Sequence, residues 1–127
     1  MVKTALIVED SPVQALTLLR LLEKQGLNVI CAPNGVAGLE LAQKHLPDVV
    51  VLDIHMPEMD GLEACRRLKQ DKNTSAIPVV LFTAHTEAEA FRAGLDGGAV
   101  DFIPKDAFSD AVLLATLRQL SILPSDA

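Results

Sequence analysis

Val49-Val50-Val51-Leu52-Asp53 sets four aliphatic residues in an unbroken row before a single acid. A strand with one wet face alternates apolar and polar residues. An uninterrupted run of this length reads instead as a strand covered on both faces, as in a parallel sheet sandwiched between helices. The flanks agree. Upstream, Asn34 is placed to cap a helix that runs towards His45 before Pro47 ends it. Downstream, Asp60 is placed to cap a helix from about Gly61 to Gln70.

The same unit recurs along the chain. Thr4–Glu9, Asn28–Ala32, Val79–Thr83 and Ala99–Ile103 are further short runs rich in Val, Ile or Leu. Ser11-Pro12-Val13-Gln14 offers an N-cap, a proline at the first helical position and a capping-box glutamine, and Gly26 stops that helix. Thr86-Glu87-Ala88-Glu89 is a second capping box, opening the fourth helix. Ser109 or Asp106 is placed to cap the last one, which carries Val112, Leu113, Leu114, Leu117 and Leu120. Five strand–helix units of this kind predict an α/β fold: a doubly wound, five-stranded parallel sheet with right-handed crossovers and helices on both faces.

Composition narrows the function. The chain has 127 residues, half of them apolar and 22% charged, which is ample for a core and too apolar for disorder. Eleven Lys+Arg against seventeen Asp+Glu leave a net charge of −6. Such an acidic balance argues against nucleic acid as a partner, since phosphate backbones need a cationic surface. The Arg66-Arg67-Lys69 cluster reads as a solvated helix face. No apolar run approaches the roughly 18 residues of a membrane span, and Met1-Val2-Lys3-Thr4 does not open a signal peptide. Cys31 and Cys65 have no metal-ligand spacing and make no disulfide framework. The expectation is a cytoplasmic domain over residues 1–123, with 124–127 as a tail.

In open parallel sheets, ligands bind beyond the carboxyl ends of the strands, where strand order reverses. Glu9 and Asp10 follow the first strand, Asp53 follows the third, Thr83 ends the fourth and Lys105 follows the fifth. Three acids would then converge. Like charges about 5 Å apart at an effective dielectric near 20 repel by roughly 3 kcal/mol per pair. The cluster therefore keeps a proton or takes a cation, and oxygen ligands without a nearby thiol suit a hard ion such as Mg²⁺. Taken singly, each residue has an ordinary explanation: Asp10 as a partner of a helix dipole, Lys105 as a solvated lysine, Phe102 as a core aromatic. Their joint placement at one end of one sheet is what singles them out.

These pieces resemble the receiver domain of two-component response regulators. The likeness rests on Glu9-Asp10, the run Asp53-Ile54-His55-Met56-Pro57-Glu58-Met59-Asp60-Gly61, Thr83-Ala84, and Gly98-Ala99-Val100-Asp101-Phe102-Ile103-Pro104-Lys105. It covers nearly the whole chain. The resemblance implies a flavodoxin-like sheet of strand order 2-1-3-4-5 and a module switched by phosphorylation, which catalyses only its own phosphorylation and dephosphorylation. Asp53 would accept a phosphoryl group from a phosphohistidine of a histidine kinase or phosphotransfer protein. Asp10, Asp53 and the backbone carbonyl of His55 would hold Mg²⁺, with Glu9 acting through water. Thr83 and Lys105 would donate to phosphoryl oxygens. Phe102 would change rotamer with Thr83, and the surface of the fourth helix, fifth strand and fifth helix would meet a downstream protein.

Departures from the pattern and competing readings set further expectations. Asp106 follows Lys105 where relatives carry proline, and Pro104 precedes it instead. The Lys105–Asp106 peptide is then trans or strained. Asp106 is expected to face solvent, the alternative being an ion pair with Lys105 that leaves a degenerate, phosphorylation-independent interaction domain. Phe102 lacks the hydroxyl of the tyrosine common at its position. His55 and His85, two residues past Asp53 and Thr83, flank the expected path of the hydrolytic water and are candidates for setting the lifetime of the phosphorylated state, against a reading as two loop histidines in solvent. Leucines at 16, 18, 19, 21 and 22 leave neighbouring-helix contacts or a homodimer face open. A flavin-binding relative of the fold is disfavoured because Glu9-Asp10 would repel a phosphate, and an aspartate-nucleophile phosphatase because Ser11-Pro12 follows Asp10.

Overall fold

The computed structural model describes residues 2–84 and 87–125. Its five strands are β1 (Thr4–Val8), β2 (Asn28–Ala32), β3 (Val49–Leu52), β4 (Val79–Thr83) and β5 (Asp101–Pro104). They alternate with α1 (Pro12–Lys24), α2 (Gly35–His45), α3 (Gly61–Gln70), α4 (Ala88–Asp96) and α5 (Ser109–Gln119). All strand pairs are parallel, in the order β2-β1-β3-β4-β5. The doubly wound, flavodoxin-like sheet expected from the sequence is the one observed.

Why unbroken apolar strands occur here is visible in the packing. Leu6 and Val8, Val50 and Leu52, and Val79 and Leu81 point to one face and meet Ala42 of α2 and Ala64, Cys65 and Leu68 of α3. The intervening Ala5 and Ile7, Val49 and Val51, and Val80 and Phe82 point to the other and meet Leu18 and Leu22 of α1 and Leu113 and Leu117 of α5. Both faces of each central strand are buried, so neither can carry a polar residue until the strand ends. The leucine stripe of α1 is absorbed by the core except for Leu16, which stays 47% exposed.

The predicted punctuation holds in most places. Asn34 accepts from the Ala37 N–H (2.8 Å) and Asp60 from the Glu63 N–H (2.9 Å), each capping its helix. Gly26 takes φ +91° just after α1, the left-handed turn that glycine adopts freely. Three boundaries differ. β1 ends at Val8, although the Glu9 N–H still bonds to the Ala32 carbonyl at 3.0 Å. β5 begins two residues later than expected, because Gly98 turns at φ +100° and the Ala99 N–H bonds back to Gly94 of α4. It also runs on through Pro104, which an edge strand tolerates.

Neither Ser109 nor Asp106 caps α5, contrary to expectation. The cap position falls on Phe108, which offers no side-chain acceptor. The Asp106 carboxylate is turned into the preceding loop, where it accepts from the Phe108 N–H (2.8 Å), and Ser109 is already helical, its hydroxyl donating to the Asp106 carbonyl (2.9 Å). The second capping box falls on Thr86, outside the described residues. Among those described, no helix is long and apolar enough to cross a membrane.

Candidate functional site

Register brings the acids together. Val8 pairs with Leu52, so the next residues, Glu9 and Asp53, emerge side by side between β1 and β3. That is where strand order reverses: the chain goes from β1 to β2 on one side, then returns to β3 on the other. Thr83 pairs with Pro104, which places Lys105 one step beyond, and the Lys105 N–H continues the ladder to the Thr83 carbonyl at 2.8 Å. Carboxylate oxygens of Glu9, Asp10 and Asp53 all lie within 4.8 Å of one another.

Lys105 Nζ sits among them. It donates to Glu9 Oε2 at 3.1 Å, to Asp53 Oδ2 at 3.3 Å and to Gln14 Oε1. It also lies 5.6 Å from the centre of the Phe82 ring, within cation–π range. Asp53 Oδ1 accepts from the Ile54 N–H at 2.7 Å, and the Thr83 hydroxyl bonds to the same carboxylate. Glu9 Oε1 accepts from the Ser11 N–H at 3.1 Å. Glu9 and Thr83 are buried, Asp53 nearly so, and Asp10 is exposed at the mouth.

Burial and crowding divide the two inner acids. Burial, then the hydrogen bond and charge of Asp53, raise Glu9 from 4.5 to about 7 despite the opposing Lys105 and Ser11 N–H. Burial also pushes Asp53 up. Its bonds to Glu9 and Thr83, the lysine charge and the Ile54 N–H outweigh that and hold it below the ordinary carboxylate value. Asp53 is thus the ionised partner of the pair and Glu9 the one that keeps a proton near neutrality. The donor set is all oxygen, anionic and converging, with no sulfur or imidazole in the cluster, and this fits a hard divalent ion.

Of the residues singled out in the sequence, Glu9, Asp10, Asp53, Thr83 and Lys105 converge. The His55 side chain is exposed on the wall of a groove of about 510 Å³ shared with Ile54, Asp60, Leu62 and Glu87. His85 lies outside the described residues. Phe102 is buried behind the site against Phe91 of α4, edge to face, with ring centres 5.4 Å apart. No peptide bond among the described residues is cis, so Lys105–Asp106 is trans. Asp106 is exposed and engages Phe108, and the carboxylates that pair with Lys105 are those of Glu9 and Asp53. Sequence reasoning missed Gln14, Phe82 and Phe91 as neighbours of the site. Their spacing carried only helix and strand signals.

The family model described as the response regulator receiver domain matches residues 5–118. Protein PilH of Pseudomonas aeruginosa is 41% identical over 108 residues, 85% of this chain and 89% of PilH. Response regulator MprA of a Mycobacterium species is 40% identical over 91% of this chain, which spans about half (49%) of that longer protein. Among solved structures, the chemotaxis protein CheY4 of Vibrio cholerae superposes with a TM-score of 0.87 at 28% identity, covering 94% of this chain and 99% of that one. The receiver domain of a P. aeruginosa sensor histidine kinase, solved with magnesium coordinated in its active-site cleft, has a TM-score of 0.85 at 25% identity, covering 94% and 98%.

Proposed function

The chain belongs to the response regulator receiver family, and from that premise we propose that Asp53 accepts a phosphoryl group from a phosphohistidine of a histidine kinase or phosphotransfer protein in the cytoplasm. The observation that carries the reading is Asp53 itself. It is a nearly buried carboxylate held below its ordinary pKa, within 3.3 Å of a lysine and bonded to a threonine hydroxyl. In the transfer, an Asp53 oxygen attacks phosphorus while the phosphorus–nitrogen bond breaks and its electron pair returns to the imidazole. Hydrolysis reverses the loading, with water attacking phosphorus and the carboxylate leaving.

Glu9, Asp10, Asp53 and the His55 carbonyl would hold Mg²⁺, Glu9 through water. The ion, when bound, offsets the crowded carboxylates and draws charge from the phosphoryl group. Lys105 and Thr83 donate to phosphoryl oxygens. Movement of Thr83 towards the phosphoryl group frees space that Phe102 follows. Phe91 and Leu95 on α4 and Val100 before β5 are 47%, 41% and 48% exposed, and they make the α4–β5–α5 surface the one that meets a downstream protein. His55 and His85 set the lifetime of the loaded state. The engagement of Asp106 by the Phe108 N–H favours this reading over a phosphorylation-independent one, because the lysine pairs with Glu9 and Asp53 instead.

Intact mass after incubation with acetyl phosphate, with and without Mg²⁺, tests the proposal. A gain of one phosphoryl group that requires both Mg²⁺ and Asp53 is expected, and Asp53→Asn abolishes it. No gain in the wild type at any Mg²⁺ concentration would overturn the reading.

A further inference from the structure

We propose that Gln14, on the first turn of α1, is a positioning residue that holds the Lys105 ammonium over Asp53. This deepens, and rests on, the receiver reading. A lysine ammonium has three N–H donors. Here three acceptors face them: Glu9 Oε2, Asp53 Oδ2 and Gln14 Oε1. Two belong to the carboxyl groups of Asp53 and Glu9 and draw the head group into the acidic cluster. Gln14 approaches from another element, across a cavity of about 350 Å³ that it lines with Glu9, Thr17, Phe82, Lys105 and Ser109. Being neutral, it accepts without cancelling the lysine's charge.

A second observation frees Gln14 for this role. The sequence Ser11-Pro12-Val13-Gln14 is a capping box, in which the glutamine side chain should reach back to the Ser11 N–H. Only half of it forms. Ser11 Oγ accepts from the Gln14 main-chain N–H at 3.3 Å, while the Ser11 N–H is taken by Glu9 Oε1 at 3.1 Å. The helix start therefore needs the Gln14 backbone, not its amide. The side chain is released from local work and turns to the lysine instead. The loop after β5 lacks a proline behind Lys105, and Gln14 with the Phe82 ring supplies restraint from α1 and β4.

The substitution that isolates this contact is Gln14→Met, which keeps length and helix propensity and removes the acceptor. Acetyl phosphate loading of the Mg²⁺-supplied protein should slow by about three- to tenfold, the equivalent of one ordinary hydrogen bond. The same substitution in a Lys105→Met background should change nothing further, since Gln14 acts through the lysine. Urea unfolding of both pairs shows whether the fold is kept. An unchanged loading rate in Gln14→Met, or an equal slowing in the Lys105→Met background, overturns the inference while leaving the receiver reading intact. Loading seen in no variant, wild type included, is the failure of that reading, and a metal-free NMR measurement then decides the contact by itself. Inequivalent Lys105 Hε protons in the wild type that merge in Gln14→Met support it; protons already equivalent in the wild type refute it.

Discussion

Removing the ionisable oxygen of Glu9 should change how stability depends on pH in the metal-free protein. Glu9 keeps its proton up to about pH 7 in the fold against 4.5 ordinarily, chiefly because it is buried and then because Asp53 is bonded to it and charged. Below pH 4.5 both the folded and the unfolded chain carry this proton, and Glu9 contributes no pH dependence. Between 4.5 and about 7 the unfolded chain releases it while the folded chain holds it. The folded state then binds more protons, so stability falls as pH rises. Above about 7 both forms are ionised and the full penalty remains. At about 1.4 kcal/mol per pKa unit, this comes to the order of 3 kcal/mol, with little screening because the side chain is 5% exposed. Glu9→Gln keeps the shape without the titration. Urea unfolding of both proteins in EDTA, from pH 4.5 to 8, should show Glu9→Gln gaining on the wild type by about that amount across the window. Saturating Mg²⁺ at pH 8 should then recover much of the wild-type deficit, because the ion binds the folded cluster and not the unfolded chain. A wild-type-minus-variant difference that stays flat with pH would show that Glu9 does not titrate as its burial requires.

Other consequences are structural. Gly61→Ala places a methyl group against the Asp53 carbonyl and should destabilise the fold by about 1–3 kcal/mol and slow phosphoryl loading as the backbone of Asp53 shifts, both measurable on one preparation by urea unfolding and mass spectrometry. Leu22→Ala empties a site with no exposure in the α1/α5 layer and should cost about 2–5 kcal/mol in urea unfolding, with loading unchanged once the protein is folded. Asn34→Ala removes the cap on the Ala37 N–H and should cost about 1 kcal/mol, read as a lowered thermal midpoint.

Much of this molecule was legible because its local signals agree with one another. Val49–Leu52 has no polar residue to argue for a wet face, and both faces are in fact covered. Asn34 and Asp60 cap where their spacing says. The converging Glu9, Asp10, Asp53, Thr83 and Lys105 followed from strand ends alone, since parallel register carries residues just past the strands to one edge. What failed to show were contacts between elements distant in sequence. Gln14 and Lys105 are 91 positions apart, and nothing in the periodicity of α1 says that its glutamine faces β5. The cap of α5 was misread for a related reason. Asp106 and Ser109 both have the right chemistry, but the turn at Phe108 sends one carboxylate into the loop and draws the other residue into the helix.

The departure at Asp106 matters less than its position suggests, and the sheet explains why. Lys105 is placed from its own backbone: its N–H extends the β4–β5 ladder to the Thr83 carbonyl, one step before Asp106 begins. A change immediately downstream alters the exit of the chain, not the point from which the lysine starts. Its side chain is then drawn inward by Glu9 and Asp53, whose own placement depends on β1 and β3, where residues such as Val8, Val51 and Leu52 are at most 2% exposed. These deeply buried, apolar strands thus carry buried polar groups at their tips. Burial there is what raises Glu9, and the crowding of three acids around one lysine is what a divalent ion can offset. The core and the charge cluster are one arrangement: loosening the first would hydrate the second, lower the pressure on Glu9, and with it the demand for a cation.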